Sequence, residues 1–250
     1  MHVRFVLTAF AVLAAAPVWA QSSPTLAPRT ILPAHVMCAD MLAPALPVPG
    51  LKIAGAHHPA IRLALNRGDV AVLARMPEDG LAVGQRYLVR RMPSGQAAIL
   101  PKAGGYVPVR TVGWLTITAL DDMNAMAHID HACDAIEPDD YLVAYVEPVL
   151  PSPDPALPAP DFTERVRILP GLEGRSMFGG GDQMSIARGT DDGVVVGARY
   201  AIYRDRKDGM PLVHIAEAIV TDPSATTAKL LVTKINGDVV EVSDIAVPRR

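Results

Sequence analysis

The chain is short of cysteine, of aromatic residues and of net charge, and each shortage removes a class of function. Of 250 residues only Cys38 and Cys133 are cysteines, so neither a disulfide-dense scaffold nor a multi-cysteine zinc module can be built. Aromatic residues make up 5%. Beyond residue 20 they are Trp114, Phe162, Phe178 and six tyrosines, too few for a row of stacking platforms under bases or sugars. The formal charge is −3, which offers no basic face to nucleic acid or an anionic lipid surface. We expect no nucleic-acid partner. Past the first residues no apolar run approaches the roughly 20 residues that cross a bilayer.

What is present begins with an export pattern. Arg4 gives a basic start, residues 5–16 form an apolar run, and Val18-Trp19-Ala20 offers the small residues that signal peptidase reads. Residues 1–20 therefore read as a signal peptide, too short in its apolar part to span comfortably. The remainder is expected to be periplasmic or secreted, without stable membrane insertion after cleavage. In that oxidising compartment a pair of cysteines most often forms one disulfide, two free buried thiols being the alternative. A Cys38–Cys133 bond would tie the N-terminal extension to the body of the chain. The chain-entropy account values so long a loop at about 4–5 kcal/mol.

An internal repeat organises the rest. Gly68 to Arg91 reads GDVAVLARMPEDGLAVGQRYLVRR, and Gly181 to Arg204 reads GDQMSIARGTDDGVVVGARYAIYR. They align without a gap, with eleven identities in twenty-four positions. These include Gly68/Gly181, Asp69/Asp182, Arg75/Arg188, Gly84/Gly197 and Arg91/Arg204. Downstream, Trp114 matches Glu217 and Ala125 matches Ala228, and we align Ile136-Glu137-Pro138-Asp139 with Ile235-Asn236-Gly237-Asp238.

Each copy reads as short strands between turn dipeptides: Asp192-Gly193, Asp208-Gly209 and Asn236-Gly237 punctuate runs at 183–188, 194–196, 198–204, 212–220, 226–234 and 239–242. The fold class expected is all-β, two tandem small barrel- or sandwich-like domains joined by a proline-rich linker. The divisions are 21–50 as an irregular extension with at most a short helix near 35–42, 51–147 as repeat 1, 148–161 as linker and 162–250 as repeat 2. Prolines 148, 151, 153, 155, 158 and 160 bar helix and central strand from the linker. It is either a polyproline spacer holding the copies up to roughly 40 Å apart or a strap against one domain.

The second copy, GTDDGVVVGARYAIYR followed by HIAEAIVTDPSATTAKLLVTK and INGDVV, resembles the C-terminal β module of secreted LysM-bearing peptidoglycan-binding proteins. More loosely it is similar to the C-terminal domain of flagellar assembly protein T. The resemblance implies an envelope-associated, non-enzymatic module. A LysM stretch of the form Tyr-x-Val-x-x-Gly-Asp-Thr-Leu does not occur, so peptidoglycan binding is not carried over by it.

The candidate chemistry is thin. His128-x-Asp130-His131-x-Cys133-Asp134, with His57-His58 upstream, holds the residue types of a zinc or copper site. Regular strand alternation puts His128 and Asp130 on one face and His131 and Cys133 on the other, and a disulfide would remove the thiolate. We therefore expect surface histidines beside a disulfide and no metal, His128 and His131 being the candidates if one is bound. Gly171-x-x-Gly174 and Gly179-Gly180-Gly181 lead into Asp182 and a strand rather than a Gly-Lys-Ser/Thr helix start, and read as a mobile loop, not a phosphate cradle. The pairs Asp121-Asp122, Asp139-Asp140 and Asp191-Asp192 read as turn residues. Arg75/Arg188 and Arg91/Arg204 recur in both copies and read as strand-end arginines supporting a neighbouring carboxylate, a shared binding face being the alternative. No Gly-x-Ser-x-Gly, Ser-x-x-Lys or His-Glu-x-x-His stretch occurs. No catalytic or cofactor-binding residue is assigned, and no cofactor is expected. The expectation is a non-catalytic envelope protein whose partner is an envelope protein or peptidoglycan. The other readings are a metal or small-ligand module using His128/His131 or the cleft between copies, and an enzyme of unfamiliar type.

Overall fold

The computed structural model describes residues 31–43, 50–58, 64–74, 80–92, 106–151 and 157–250. The expected signal peptide, Arg75 and Asp79 lie outside them. The described chain is all-β apart from one short helix, α1 (Pro33–Met37), and two single helical turns. The helix sits slightly ahead of its expected place, with proline in its first turn, where the missing N–H costs nothing.

After β1 (Met41–Ala43), the first copy contributes β2 (Lys52–Ala56), β3 (Val70–Ala74), β4 (Arg86–Arg91), β5 (Val107–Leu120), β6 (Asn124–Ala132) and β7 (Tyr141–Ala144). The second contributes β8 (Val166–Leu169), β9 (Met177–Phe178), β10 (Gln183–Ile186), β11 (Arg199–Arg204), β12 (Val213–Pro223), β13 (Ala228–Ile235), β14 (Val240–Glu241) and β15 (Ile245–Pro248). Strands β8, β10, β13, β12, β11 and β15 close into a six-stranded barrel. In the first copy β2, β3, β6, β5, β4 and β7 pair in the same cyclic order, the β5–β6 pairing completing the ring. All neighbours are antiparallel. Strand β1 is an addition, pairing with β5 alone.

Alternation fills each barrel. On β3, Ala71 and Leu73 are fully buried while Ala74 is exposed; on β10, Met184 and Ile186 are the buried pair. Around them close Ile53, Leu115, Ile117, Ile129 and Ile136 in one barrel and Ile168, Ile202, Val220, Leu230 and Val232 in the other.

The recurring Gly-Asp pair has a definite task. Gly68 and Gly181 take φ of +90° and +89°, a region that favours glycine. Their N–H groups donate to Ile129 O and Val232 O, pinning the turn to β6 and β13. The next carboxylates, Asp69 and Asp182, accept from the N–H three residues back, at Asn66 and Gly179. The glycine-rich loop expected to be mobile is instead held by Asp182, which also binds Arg175.

Two further expectations change. No strand forms at 194–196; a helical turn, Thr190–Asp192, occupies the approach, capped by Asp192 on the Gly189 N–H. The last turn of the repeat aligns differently: the Leu65–Ile136 bridge corresponds to the Phe178–Val240 pairing, so Glu137 to Asp140 match Glu241 to Asp244. An insertion before Val240 hid that match. The described ends of the linker pack onto the second barrel. Pro151 is buried, Pro160 bridges to Arg249, and Arg249 and Arg250 donate to Pro158 O and Ala159 O. Of the two alternatives, its described part is the strap against the second barrel.

Candidate functional site: the cleft beside the disulfide

Two of the charged residues that recur in both copies, Arg91 and Arg204, are built into the barrels. Arg91, at the end of β4, lays its guanidinium across Asp140, with Nε–Oδ1 and Nη2–Oδ2 both at 2.8 Å, and donates to Ala135 O at 2.6 Å. Arg204, at the end of β11, does the same to Asp244 at 2.8 and 3.0 Å and to Val239 O at 2.8 Å. Each aspartate also accepts the N–H of the glutamate three residues before it. Asp140 and Asp244 are buried, so the two-pronged geometry is what compensates their lost hydration. The paired arginine raises no doubt of its charge: hydrogen bonding to Asp244 pushes Arg204 further up. Arg188 pairs with Glu164 and, at 3.8 Å, with Asp192. Asp121 caps the Met123 and Asn124 N–H groups. The aspartate pairs are turn and clasp residues.

The histidine stretch is arranged otherwise than alternation requires. The β5–β6 register pairs Thr116 with His128 and Trp114 with His131, and it shifts between Trp114 and Leu115. Asp130 is the extra residue of that bulge. Thr116 and Trp114 share the outer face of β5, so His128, Asp130 and His131 all face outward, correcting the expected division. His128 and His131 nevertheless belong to different clusters. His128 Nδ1 meets Asp130 Oδ1 at 3.2 Å, and Thr116 donates to Asp130 Oδ2 at 2.7 Å. The His131 ring lies flat on Trp114, with centroids 4.3 Å apart and planes at 13°. His57 and His58 are exposed beyond β2.

Beside His131 is the Cys38–Cys133 disulfide. It closes a loop whose ends are 95 residues apart. Cys133 follows β6, where its N–H donates to Val112 O at 2.9 Å. Cys38 ends α1, its N–H donating to Ala34 O. Gly113 makes the approach of the strands possible: a Cβ there would meet His131 O at 2.3 Å.

These groups line one wall of a cleft of 470 Å³ between the two barrels. Its other walls carry Asp40, Arg175, Asp182, Gln183 and Lys229. The N-terminal segment is wedged into it: Gln183 Nε2 donates to His35 O at 2.7 Å, and Lys229 Nζ to Ala39 O at 3.4 Å. Lys229 also pairs with Asp222 at 3.0 Å and is only 12% exposed. Burial pushes its amine below the ordinary range, and Asp222 opposes that. Burial pushes the Asp40 carboxyl up, against Arg110, Lys229 and Arg175. Among the described residues no hydrogen bond reaches that carboxylate.

No protein-family model matches this chain, and no curated protein matches it. What can be said of its action therefore rests on this geometry. The cleft was foreseen only as a space between copies. Asp40 and Lys229, its two perturbed groups, carry no motif, and only the fold of the extension onto both barrels brings them together.

Proposed function

We propose that the chain is an exported protein of a bacterial cell envelope that acts without catalysis, by associating with an envelope protein or with the cell wall. The observation that carries this reading is the placement of the ionisable side chains. Arg91 and Arg204, which recur in both copies, are locked in clasps within the barrels, and Asp40, whose carboxylate accepts no hydrogen bond among the described residues, lines a cleft built jointly by both copies and the extension. A tandem pair sharing one recess suits the docking of a partner. The disulfide and the signal-like residues 1–20 support export to the periplasm or beyond. No helix among the described residues is long and apolar enough to cross a membrane.

The test offers the tagged chain lacking residues 1–20 to purified sacculi and, separately, to envelope extract. Retention in one arm, weakened at least about tenfold by Asp40→Arg in a variant with an unchanged unfolding transition, is the expected result. Equal retention of the variant, or none in either arm, would defeat the reading. A small-ligand module is the second reading, favoured by the cleft's volume of 470 Å³, inside the roughly 300–1,000 Å³ usual for ligand sites.

A further inference from the structure

The ligand atoms of Cys38, Cys133 and His131 all lie within 4.8 Å of one another. In the oxidised chain the two sulfurs are bonded to each other and cannot act as thiolates. The positions of the three residues, however, do not depend on that bond alone. Cys133 is fixed by its N–H on Val112 O, beside the β5–β6 bulge. His131 is held by its stack on Trp114, and among the described residues nothing hydrogen-bonds its ring nitrogens. Cys38 is fixed from both sides. Strand β1 begins three residues later and pairs Met41, Leu42 and Ala43 with Val109, Pro108 and Val107. The neighbouring Ala39 O accepts from Thr111 Oγ1 and Lys229 Nζ at 3.4 Å each. If the sulfur–sulfur bond is broken, these contacts keep the two thiols beside each other and beside the imidazole.

We propose that Cys38, Cys133 and His131 form a redox-gated metal site. Oxidised, it is the disulfide; reduced, it is a two-sulfur, one-nitrogen ligand set for a single thiophilic d¹⁰ cation, Cu⁺ or Zn²⁺. The balance is simple. A dithiol reductant gives up two electrons and two protons and becomes its own disulfide, while the Cys38–Cys133 bond is replaced by two S–H groups. The cation then displaces both thiol protons and takes the free imidazole nitrogen. Two thiolates and an imidazole are a soft set that selects these ions over hard cations. All three residues line the cleft, which leaves a side open for a water or a further ligand, as zinc needs for four-coordination.

The second barrel supplies an internal control. By strand register Lys234 and Asn236 stand where His131 and Cys133 stand in the first: Glu217 pairs with Lys234 as Trp114 pairs with His131, and the Asn236 N–H donates to Ile215 O as that of Cys133 does to Val112 O. The same barrel therefore closes without the cluster. The fold does not require it. This inference goes beyond the association reading and stands or falls separately from it.

The test titrates the anaerobic, dithiol-reduced and desalted chain with Cu⁺ or Zn²⁺ against a competing chromophoric chelator. One equivalent bound in the reduced form and none in the oxidised form is expected, with quenching of Trp114 fluorescence through its stacked partner. His131→Ala should weaken binding at least about tenfold, while His128→Ala should leave it unchanged. Bound metal should also slow alkylation of both thiols, a readout that does not need the variants to fold. Equal binding by the oxidised chain, indifference to His131→Ala, or no protection of the thiols by either metal would overturn the proposal.

Discussion

At the scale of single residues, the molecule depends on a few charged side chains in fixed geometry. Asp244 is fully enclosed at its side chain, while Arg204 is 19% exposed. Removing the arginine leaves a carboxylate in the barrel wall with one backbone N–H, from Glu241, for company. Arg204→Ala should therefore destabilise the chain by about 3–5 kcal/mol, the usual cost of breaking a buried pair from one side. Arg204→Lys should recover only part of it, because an ammonium cannot reproduce the fork. Urea unfolding checks both. A loss below about 1 kcal/mol for Arg204→Ala would mean that water reaches Asp244 and that the clasp is an ordinary surface pair. Its counterpart Arg91, with Asp140 3% exposed and itself at 22%, should behave alike.

At the scale of elements, the turns were readable and the irregularities were not. Asp192-Gly193, Asp208-Gly209 and Asn236-Gly237 announced their turns, the glycines taking φ of +78°, +79° and +109°, whereas the task of Gly-Asp at 68–69 and 181–182 showed only in the fold. The clasp arginines were legible because they recur. The closing strand Ile245–Pro248 was missed, being four residues long and ending in a proline. It is the element that makes the second copy a barrel, pairing with both β8 and β11. The bulge at Asp130 was invisible for a different reason: alternation is a local rule, whereas the extra residue is set by the partner strand's register. That one residue decides which face His131 occupies, and so sets its ring on Trp114 beside the disulfide. Two glycines separate these kinds of constraint. Gly68 has open space around a hypothetical Cβ but φ of +90°, so Gly68→Ala should cost about 1–2 kcal/mol from backbone strain alone. Gly113→Ala must also push His131 O away from 2.3 Å, and should cost more and loosen the strand crossing that carries Cys133. Thermal unfolding of both variants orders them; Gly113→Ala proving the milder would show that β5 and β6 can part there freely.

At the scale of the whole molecule, the question is what holds two barrels around one cleft. One direct link, between Arg110 of the first and Glu173 of the second, is an exposed pair at 3.3 Å, of a kind worth at most about 1 kcal/mol. The N-terminal segment does more. It adds β1 to the first barrel, accepts hydrogen bonds from Gln183 and Lys229 of the second, and is bonded to Cys133. The disulfide and the segment have separable effects. A disulfide acts chiefly on the unfolded chain, so the double Cys38→Ser, Cys133→Ser variant should lose up to about 4–5 kcal/mol of stability. Its native dimensions should stay the same, because β1 still carries the segment. Deleting residues 1–43, with Cys133→Ser to avoid a stray thiol, removes the wedge itself. The radius of gyration from solution scattering should then rise, with faster proteolysis within 148–161. An unchanged radius after deletion would mean that the barrels grip each other directly, and that the extension fills the cleft without holding it open.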